Sequence, residues 1–202
     1  MLDAHSWLLL IGVCALGAMT PGASLAVVTR HTLHGSAQAG VRAGLAHAAG
    51  IGVYAALTVA GLAAVLRGFP HLETGIRLAG SLFLLWLAVS GWRAAGRHGA
   101  TVARAPADGR GAVRDGFLIA FLNPKVALFF LALFSQFVSA EMGVAARIQV
   151  AATAVVIDGG WYSLVAVLLA RGPVLAALRQ HHDKVERATA VVLALIAVGV
   201  WL

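Results

Sequence analysis

Charged side chains are scarce in this chain of 202 residues. Asp, Glu, Lys and Arg together make up 11% of it, and 60% of the residues are hydrophobic. Typical soluble domains carry about 25% charged residues. The mean hydropathy is +0.89. This composition excludes an ordinary soluble domain and predicts an integral membrane protein.

Cysteine is almost absent, and so are the motifs of common enzymes. Because Cys14 is the single cysteine, the chain cannot form an intramolecular disulfide and has no thiol pair for redox chemistry. It contains no HExxH or GxSxG motif and no paired carboxylates within a predicted span. We therefore expect a protein that is not an enzyme, with no cofactor and no metal site.

The net charge of +7 would suggest a nucleic-acid partner if the chain were soluble. Its arginines, however, fall in polar segments beside apolar ones. Such a pattern is typical of residues that fix the orientation of membrane spans. We therefore expect a lipid bilayer, and no nucleic acid, around this chain.

The apolar segments predict an all-α integral membrane protein with six transmembrane helices in a single domain, 1–202. A helix needs about 20 apolar residues to cross the hydrocarbon core. The last segment has only 15 apolar residues after Arg187, so it either begins inside the preceding loop or sits short in the bilayer. The predicted spans are 7–29, 43–66, 78–95, 116–138, 148–170 and 186–202, with a cytoplasmic linker at 96–115.

The first and fourth spans each contain a proline where a continuous helix would be expected. Thr20-Pro21-Gly22 interrupts the first span and Asn123-Pro124-Lys125 the fourth. Proline breaks a helical hydrogen bond, and a lysine at bilayer depth costs about 2.5–3.5 kcal/mol. Because broken backbone persists in a membrane only where protein or water covers it, both breaks predict a site and a three-plus-three repeat. The alternative is a plain kink with Lys125 snorkelling to the surface.

The distribution of Lys and Arg predicts the orientation of the chain. The first, third and fifth loops with their span edges hold 11 of these residues, and the second and fourth hold three. The positive-inside rule then places both termini on the periplasmic or extracellular side. In that orientation Pro21 lies about 21 Å down the first span and Pro124 about 12 Å up the fourth, at nearly the same depth.

The residues around the two breaks suit the two ends of a zwitterionic amino acid. Half-helices beginning at Gly22 and Lys125 would offer free N–H groups and a positive dipole end to a carboxylate. Asp158, in the middle of the fifth span, lies near the same depth and suits an ammonium group. Trp161 and Tyr162 lie beside it on that helix. The alternative is a Lys125–Asp158 ion pair that only joins two helices.

The second span adds two polar side chains to this picture. His47 and Tyr54 are seven residues apart and therefore share a helical face. They could contact the substrate or relay a proton. The alternative is ordinary hydrogen bonding between helices.

Several motifs together resemble the LysE/RhtB family of amino-acid exporters over nearly the whole chain. They are Met19-Thr20-Pro21-Gly22, the glycine-rich run 35–44, and Asn123-Pro124-Lys125 followed by two phenylalanines. The resemblance implies a secondary transporter in the bacterial inner membrane that exports amino acids or related small metabolites by proton antiport. The chain departs from the family pattern at Ala23, where a second proline is usual. It also lacks an acidic residue early in the second span, which leaves Asp158 as the chief carboxylate.

Two other kinds of efflux stay open as alternatives, that of a divalent metal cation and that of another small solute. Eight histidines favour a metal. Seven of them fall in loops or at span edges, and His47 has no Asp or Cys at ligand spacing in the sequence. The sequence does not specify the substrate or the oligomeric state, and a homo-oligomer is among the states it allows.

Overall fold

The computed structural model describes residues 2–20, 22–94, 111–170, 181–199 and residue 201, and these residues contain helices and no strand. The prediction of an all-α fold is confirmed. Eight α-helices are numbered here in chain order, and a short 3₁₀ turn, Pro70–Leu72, precedes α4. The helices are α1 (Ala4–Met19), α2 (Ala23–His34), α3 (Ala37–Gly68), α4 (Glu73–Ala94), α5 (Ala112–Phe121), α6 (Pro124–Phe134), α7 (Val144–Leu169) and α8 (His182–Gly199).

The first predicted span is broken, and its two halves are α1 and α2. They meet at 60°, and Pro21 itself lies outside the described residues. Helix α1 begins where the carboxylate of Asp3 accepts a hydrogen bond from the Ser6 amide at 3.0 Å, which lowers the pKa of Asp3. Helix α2 continues to His34, so the loop that the sequence suggested after residue 29 is reduced to Gly35 and Ser36.

The fourth predicted span is also broken, into α5 and α6, which meet at 56°. Here the break forms an ordinary helix start. Pro124 is the first residue of α6, where its missing N–H costs nothing. The Oδ1 atom of Asn123 accepts hydrogen bonds from the backbone N–H groups of Lys125 and Val126, at 3.0 and 3.4 Å. The expectation that α6 presents free N–H groups at this break is therefore wrong, because Asn123 caps them.

The remaining helices are longer than the sequence indicated. Helix α3 has 32 residues, about 48 Å at the helical rise, and replaces the predicted span 43–66. Helix α4 begins at Glu73, in a stretch that the sequence suggested was a turn. Its first turns contain an ion pair between Arg77 and Glu73 at 2.9 Å, a spacing of four residues that supports a helix. Helix α5 begins at Ala112, so the last residues of the predicted linker are helical, and most of that linker lies outside the described residues.

By length and composition, the described residues contain three helices that could cross a membrane, or up to five spans if each bent pair counts as one. Helices α3 and α7 qualify alone, as does α4 together with its 3₁₀ turn, and the bent pairs α1–α2 and α5–α6 bring the number to five among the described residues. The sixth predicted span, 186–202, overlaps α8. The first turns of α8 carry four charged residues, 183, 184, 186 and 187. The count of six spans stays a prediction.

Small residues let the central helices approach closely. Helix α3 packs along both α7 and α5. A Cβ added to Gly44 would lie 2.8 Å from the Cβ of Tyr162, and one added to Gly50 would lie 2.8 Å from the Cβ of Ala120. Without a hydrophobic driving force between helices in lipid, such close backbone contact is what holds a membrane bundle together.

Several contacts between helices follow the predicted two-fold repeat. Helix α1 packs on α7 as α5 packs on α3, and α2 packs on α7 as α6 packs on α3. The same two-fold relation would swap α3 with α7 and α4 with α8, so the contacts α3–α7 and α4–α8 would each map onto themselves. Other contacts, such as α2 with α3, have no counterpart of similar extent in the described residues. The contacts therefore agree with the repeat only in part.

Leu2 and Trp201, the described residues nearest the two chain ends, lie toward the same end of the bundle. The Leu2 amide donates to Gln149 in the first quarter of α7 at 3.0 Å, and the Trp201 indole donates to Ser81 in the first half of α4 at 3.1 Å. Arg67, at the end of α3, reaches the carbonyl of Ala140 just before α7. An even number of crossings would produce this arrangement.

Candidate functional site

A cavity of about 530 Å³ lies at the junction of the two broken helix pairs. It is lined by residues of α1, α2, α3, α4, α6, α7 and α8, together with residues of both breaks. Its apolar wall includes Trp86, Phe129 and Phe130. Its polar and charged lining consists of Thr20, Ser24, His47, Ser90, Asn123, Lys125, Asp158, Tyr162, Glu186 and Thr189.

The most buried charged group in this cavity is Asp158, and it is paired with His47. The Nδ1 atom of His47 lies 2.7 Å from Oδ2 of Asp158. Its other ring nitrogen, Nε2, lies 2.8 Å from the Ser24 hydroxyl. The Tyr162 ring stands edge-on to the imidazole with 4.9 Å between ring centroids. Helices α2, α3 and α7 are thus joined by one buried hydrogen-bonded chain.

Lys125 is not the partner of Asp158. Within the described part of the chain its ammonium group makes no hydrogen bond or ion pair, and the side chain is exposed. The Lys125–Asp158 pair that the sequence left as an alternative does not form in this structure, and the partner of Asp158 is His47. Lys125 remains a positive charge at the cavity wall.

The two half-helices that begin at the breaks differ in the state of their first turns. The start of α6 is capped by Asn123. The start of α2, at Gly22, has no side-chain cap, and its first residues Ala23 and Ser24 line the cavity. The positive end of a helix dipole and uncapped N–H groups therefore meet the cavity at α2. The sequence predicted this arrangement at both breaks, and the structure has it only at the first.

Two residues predicted for the site lie elsewhere. The hydroxyl of Tyr54 donates to the carbonyl of Phe121 at 2.5 Å, at the end of α5, and its ring stacks on that of Phe121. Trp161 packs against the smaller apolar cluster around Val28. Neither residue lines the cavity. Pro124 shapes the start of α6 without lining the cavity itself.

Sequence reasoning missed several residues that the structure brings to the cavity. Ser24 follows the first break by two residues, which places it in the first turn of α2. Glu186 and Thr189 are three residues apart and so share a face of α8, which begins at His182. The Thr189 hydroxyl lies 3.2 Å from that of Thr20 and links α8 to the first break. Both α8 residues lie within the predicted span 186–202, but nothing in the sequence indicated that this span faces the breaks.

A second polar cluster lies near the C-terminal end of α2 and the N-terminal end of α5. Asp115 accepts hydrogen bonds there from Arg30 and from the buried ring of His31, the latter at 3.0 Å. The cluster ties the half-helix after the first break to the half-helix before the second. It does not line the cavity.

Efflux of a divalent metal, the alternative that the sequence left open, would call for a set of metal-ligating side chains at the cavity. Within the described residues, no group of three or more His, Cys, Asp and Glu side chains is arranged to hold a metal ion. His47 and Asp158 bond to each other, so they supply two donors at most. Sites that select transition metals use larger donor sets in a defined geometry.

Comparison with known proteins identifies the family. The model of the LysE type translocator family matches residues 15–202. The chain belongs to this family. The resemblance to LysE/RhtB exporters is therefore confirmed, and the protein is a multi-pass bacterial membrane protein.

Two relatives of this LysE type translocator come from Escherichia coli K12. The uncharacterized membrane protein YahN is 30% identical over 197 residues, which are 96% of this chain and 86% of YahN. The threonine efflux protein is 29% identical over 157 residues, 75% of this chain and 76% of that protein. A threonine efflux protein of Salmonella typhimurium is 28% identical over the same length. No solved structure matches the chain significantly.

Proposed function

We propose that this translocator exports amino acids or closely related small metabolites from the bacterial cytoplasm by proton antiport. The observation that carries the proposal is the cavity at the two helix breaks. It contains the uncapped start of α2 and Lys125 as positive groups, and Asp158 as a buried negative group. A volume of about 530 Å³ is in the range of small-ligand sites.

The two kinds of charge suit the two ends of a zwitterion. A substrate carboxylate would bind the N–H groups at the start of α2, with Lys125 adding a full charge. A substrate ammonium would bind the Oδ1 atom of Asp158, which takes no hydrogen bond from the described residues and belongs to a residue at the cavity wall. The aromatic wall would receive the side chain. The threonine efflux relatives support an amino acid as the first substrate to test.

The proposed orientation places both termini outside the inner membrane. In that orientation the C-terminal end of α4 and the N-terminal end of α8 face the cytoplasm. The cavity extends to Gly91 and Glu186 at those two helix ends. Its reach toward the cytoplasmic side supports loading from the cytoplasm, as export requires.

Transport by the purified protein in proteoliposomes tests the proposal. Counterflow of labelled threonine, leucine, lysine and glutamate, driven by the same unlabelled amino acid inside the vesicles, reports the substrate without a proton gradient, and we expect accumulation of at least one of them. Net efflux of that amino acid should be accelerated by a proton gradient directed opposite to its movement and slowed by a protonophore.

The same preparation separates the alternatives. Counterflow of none of the four amino acids, with movement of Zn²⁺ or Co²⁺ in the same vesicles, would replace the proposal by metal efflux. Amino-acid counterflow with net efflux that ignores the proton gradient would retain the substrate class and remove antiport.

A further inference from the structure

We infer that the His47–Asp158 pair is where a proton and the substrate ammonium compete, with His47 accepting the proton and Asp158 binding the ammonium. The inference rests on the proposed amino-acid export and assigns its coupling to two named residues. It follows from three observations: the 2.7 Å bond between the two side chains, the Ser24 hydroxyl on the other ring nitrogen, and a carboxylate oxygen left over at the cavity.

The hydrogen bonds assign the proton positions when no extra proton is bound. A carboxylate can only accept, so the Nδ1 atom of His47 must carry the hydrogen that points at Asp158. The Nε2 atom then has a lone pair and accepts from the Ser24 hydroxyl. In this state the pair carries one negative charge, and it lies on Asp158.

Adding one proton changes both the charge and the hydrogen-bond direction. The proton either forms an imidazolium beside the carboxylate, or sits on Asp158 while the imidazole hydrogen moves to Nε2. In both cases Nε2 carries a hydrogen and donates to Ser24, whose hydroxyl changes from donor to acceptor. In both cases the pair becomes neutral overall.

The charge change makes the proton and the ammonium exclude each other. Asp158 and His47 are 93% and 98% buried, where the attraction between opposite charges is much stronger than in water. An ammonium group at Oδ1 is held by the negative pair and loses that attraction when the pair is neutral. By reciprocity, binding of the ammonium must then drive the proton off. One proton would therefore be exchanged for one amino acid, which is the stoichiometry of antiport.

Other titratable groups around the His47–Asp158 pair affect the pH at which the pair takes up its proton, but they do not replace the pair as the proton site. They come from four of the helices that face the cavity: Cys14 on α1, Lys125 on α6, Tyr162 on α7 and Glu186 on α8. The charge of Lys125 opposes protonation of the pair and a charged Glu186 favours it. The described residues of α2 and α4 at the cavity contribute no titratable side chain.

The test compares two buried histidines by the same substitution. His47→Gln keeps an amide N–H for Asp158 and a carbonyl oxygen for Ser24, and so imitates the unprotonated pair while removing the proton acceptor. His31→Gln is the matched control, because His31 is also buried and also bonded to an aspartate, Asp115, but lies away from the cavity. Binding of labelled threonine, leucine, lysine and glutamate is measured in nanodiscs between about pH 5.5 and 8.5, the range in which histidines titrate.

We expect the parent and His31→Gln to bind amino acid more weakly on acidification, with the dissociation constant rising by up to about tenfold per pH unit below the midpoint. In His47→Gln the midpoint of this weakening should move, because the imidazole that takes the proton in the parent is gone and only the Asp158 carboxylate remains to take it. A second measurement needs no variant. When an amino acid that the parent binds is added to the parent protein in weak buffer, protons should be released, and their number should approach one for each amino acid molecule bound.

Each contrary result has a distinct meaning. A parent-like pH profile in His47→Gln, or binding by the parent without proton release, would overturn this inference and leave amino-acid export standing. Binding by the parent that strengthens on acidification would overturn it as well. Failure of the folded parent to bind any of the four amino acids would overturn the inference together with the proposed function.

Discussion

The backbone of Gly116 lies directly against the carbonyl of Ala43, so that a Cβ built on Gly116 would stand 2.1 Å from that oxygen. The contact joins the first turns of α5 to α3. It lies beside the buried cluster formed by Ala39, Ala43, Ala112 and Tyr162. Close backbone approach of this kind is available only to glycine.

Replacing Gly116 by Ala should therefore destabilise the protein. Neither backbone can yield without shifting a helix, and overpacking of this sort costs about 1–3 kcal/mol. Gly61→Ala is the matched control, because a Cβ at Gly61 meets nothing within 4 Å, and alanine favours a helix interior by about 0.5–1 kcal/mol. Thermal unfolding in detergent should show a lower Tm for Gly116→Ala and an equal or higher Tm for Gly61→Ala. Equal Tm values for Gly116→Ala and the parent would contradict this packing.

The cap at the second break gives another prediction. Asn123→Ala removes the acceptor for two backbone N–H groups at the start of α6, which should cost about 1 kcal/mol and slow transport by loosening the position of Lys125. Asn123→Asp keeps a capping oxygen and should retain most of the stability. Unfolding midpoints and counterflow rates of both variants, at equal reconstituted amounts, provide the measurement. A parent-like Asn123→Ala would show that the cap does not hold the break.

The breaks illustrate what the sequence could and could not predict. Proline inside an apolar segment was sufficient to locate both bends, since proline removes a helical hydrogen bond and kinks or breaks the helix. It was not sufficient to determine the state of the free N–H groups. That state depended on whether the preceding side chain turned back, as Asn123 does and Gly22 cannot. Helix ends elsewhere were missed because polar residues such as Arg77 and Lys184 continue helices once tertiary packing supports them.

The sequence also pointed to some residues of the candidate site and not to others. Asp158, Lys125 and His47 attracted attention as polar residues within predicted spans, where such groups are costly, and all three line the cavity. Their role in binding a substrate stays a prediction. The partner of Asp158 could not be inferred from spacing, since His47 is 111 residues away and meets it only through the packing of α3 on α7. Tyr54 shares a helix with His47, yet seven residues along α3 it has reached the end of α5 instead of the cavity.

Neutralising the two charges of the proposed substrate site should abolish export while the protein still folds. Asn at position 158 can accept the hydrogen bond of His47, and Lys125 is exposed and makes no ion pair among the described residues. Asp158→Asn and Lys125→Met should each stop counterflow, and the double variant should remain inactive. Their effects on Tm should add, because no direct bond couples them. Counterflow by the double variant at near-parent rates would refute the substrate-site hypothesis.

The orientation can be tested separately from transport. A topology reporter fused after Leu202 should read periplasmic or extracellular, because the loops predicted to be cytoplasmic hold 11 of the 15 Lys and Arg residues. The contacts of Leu2 with Gln149 and of Trp201 with Ser81 place both chain ends at one end of the bundle. A second reporter fused before Met1 should therefore give the same reading. Opposite readings from the two fusions would mean an odd number of crossings.

Occupancy of the cavity by an amino acid is the central claim, and protection of a single cysteine tests it most directly. The chain has one native cysteine, so Cys14→Ala gives a cysteine-free background in which Ser90→Cys places a thiol at the cavity wall. Val144→Cys in the same background is the control, because Val144 is exposed at the first residue of α7 and lies outside the cavity. We predict that an amino acid active in counterflow slows maleimide labelling at position 90 in proportion to its occupancy and leaves position 144 unchanged. An unchanged labelling rate at position 90, with saturating amino acid and active counterflow, would contradict the account.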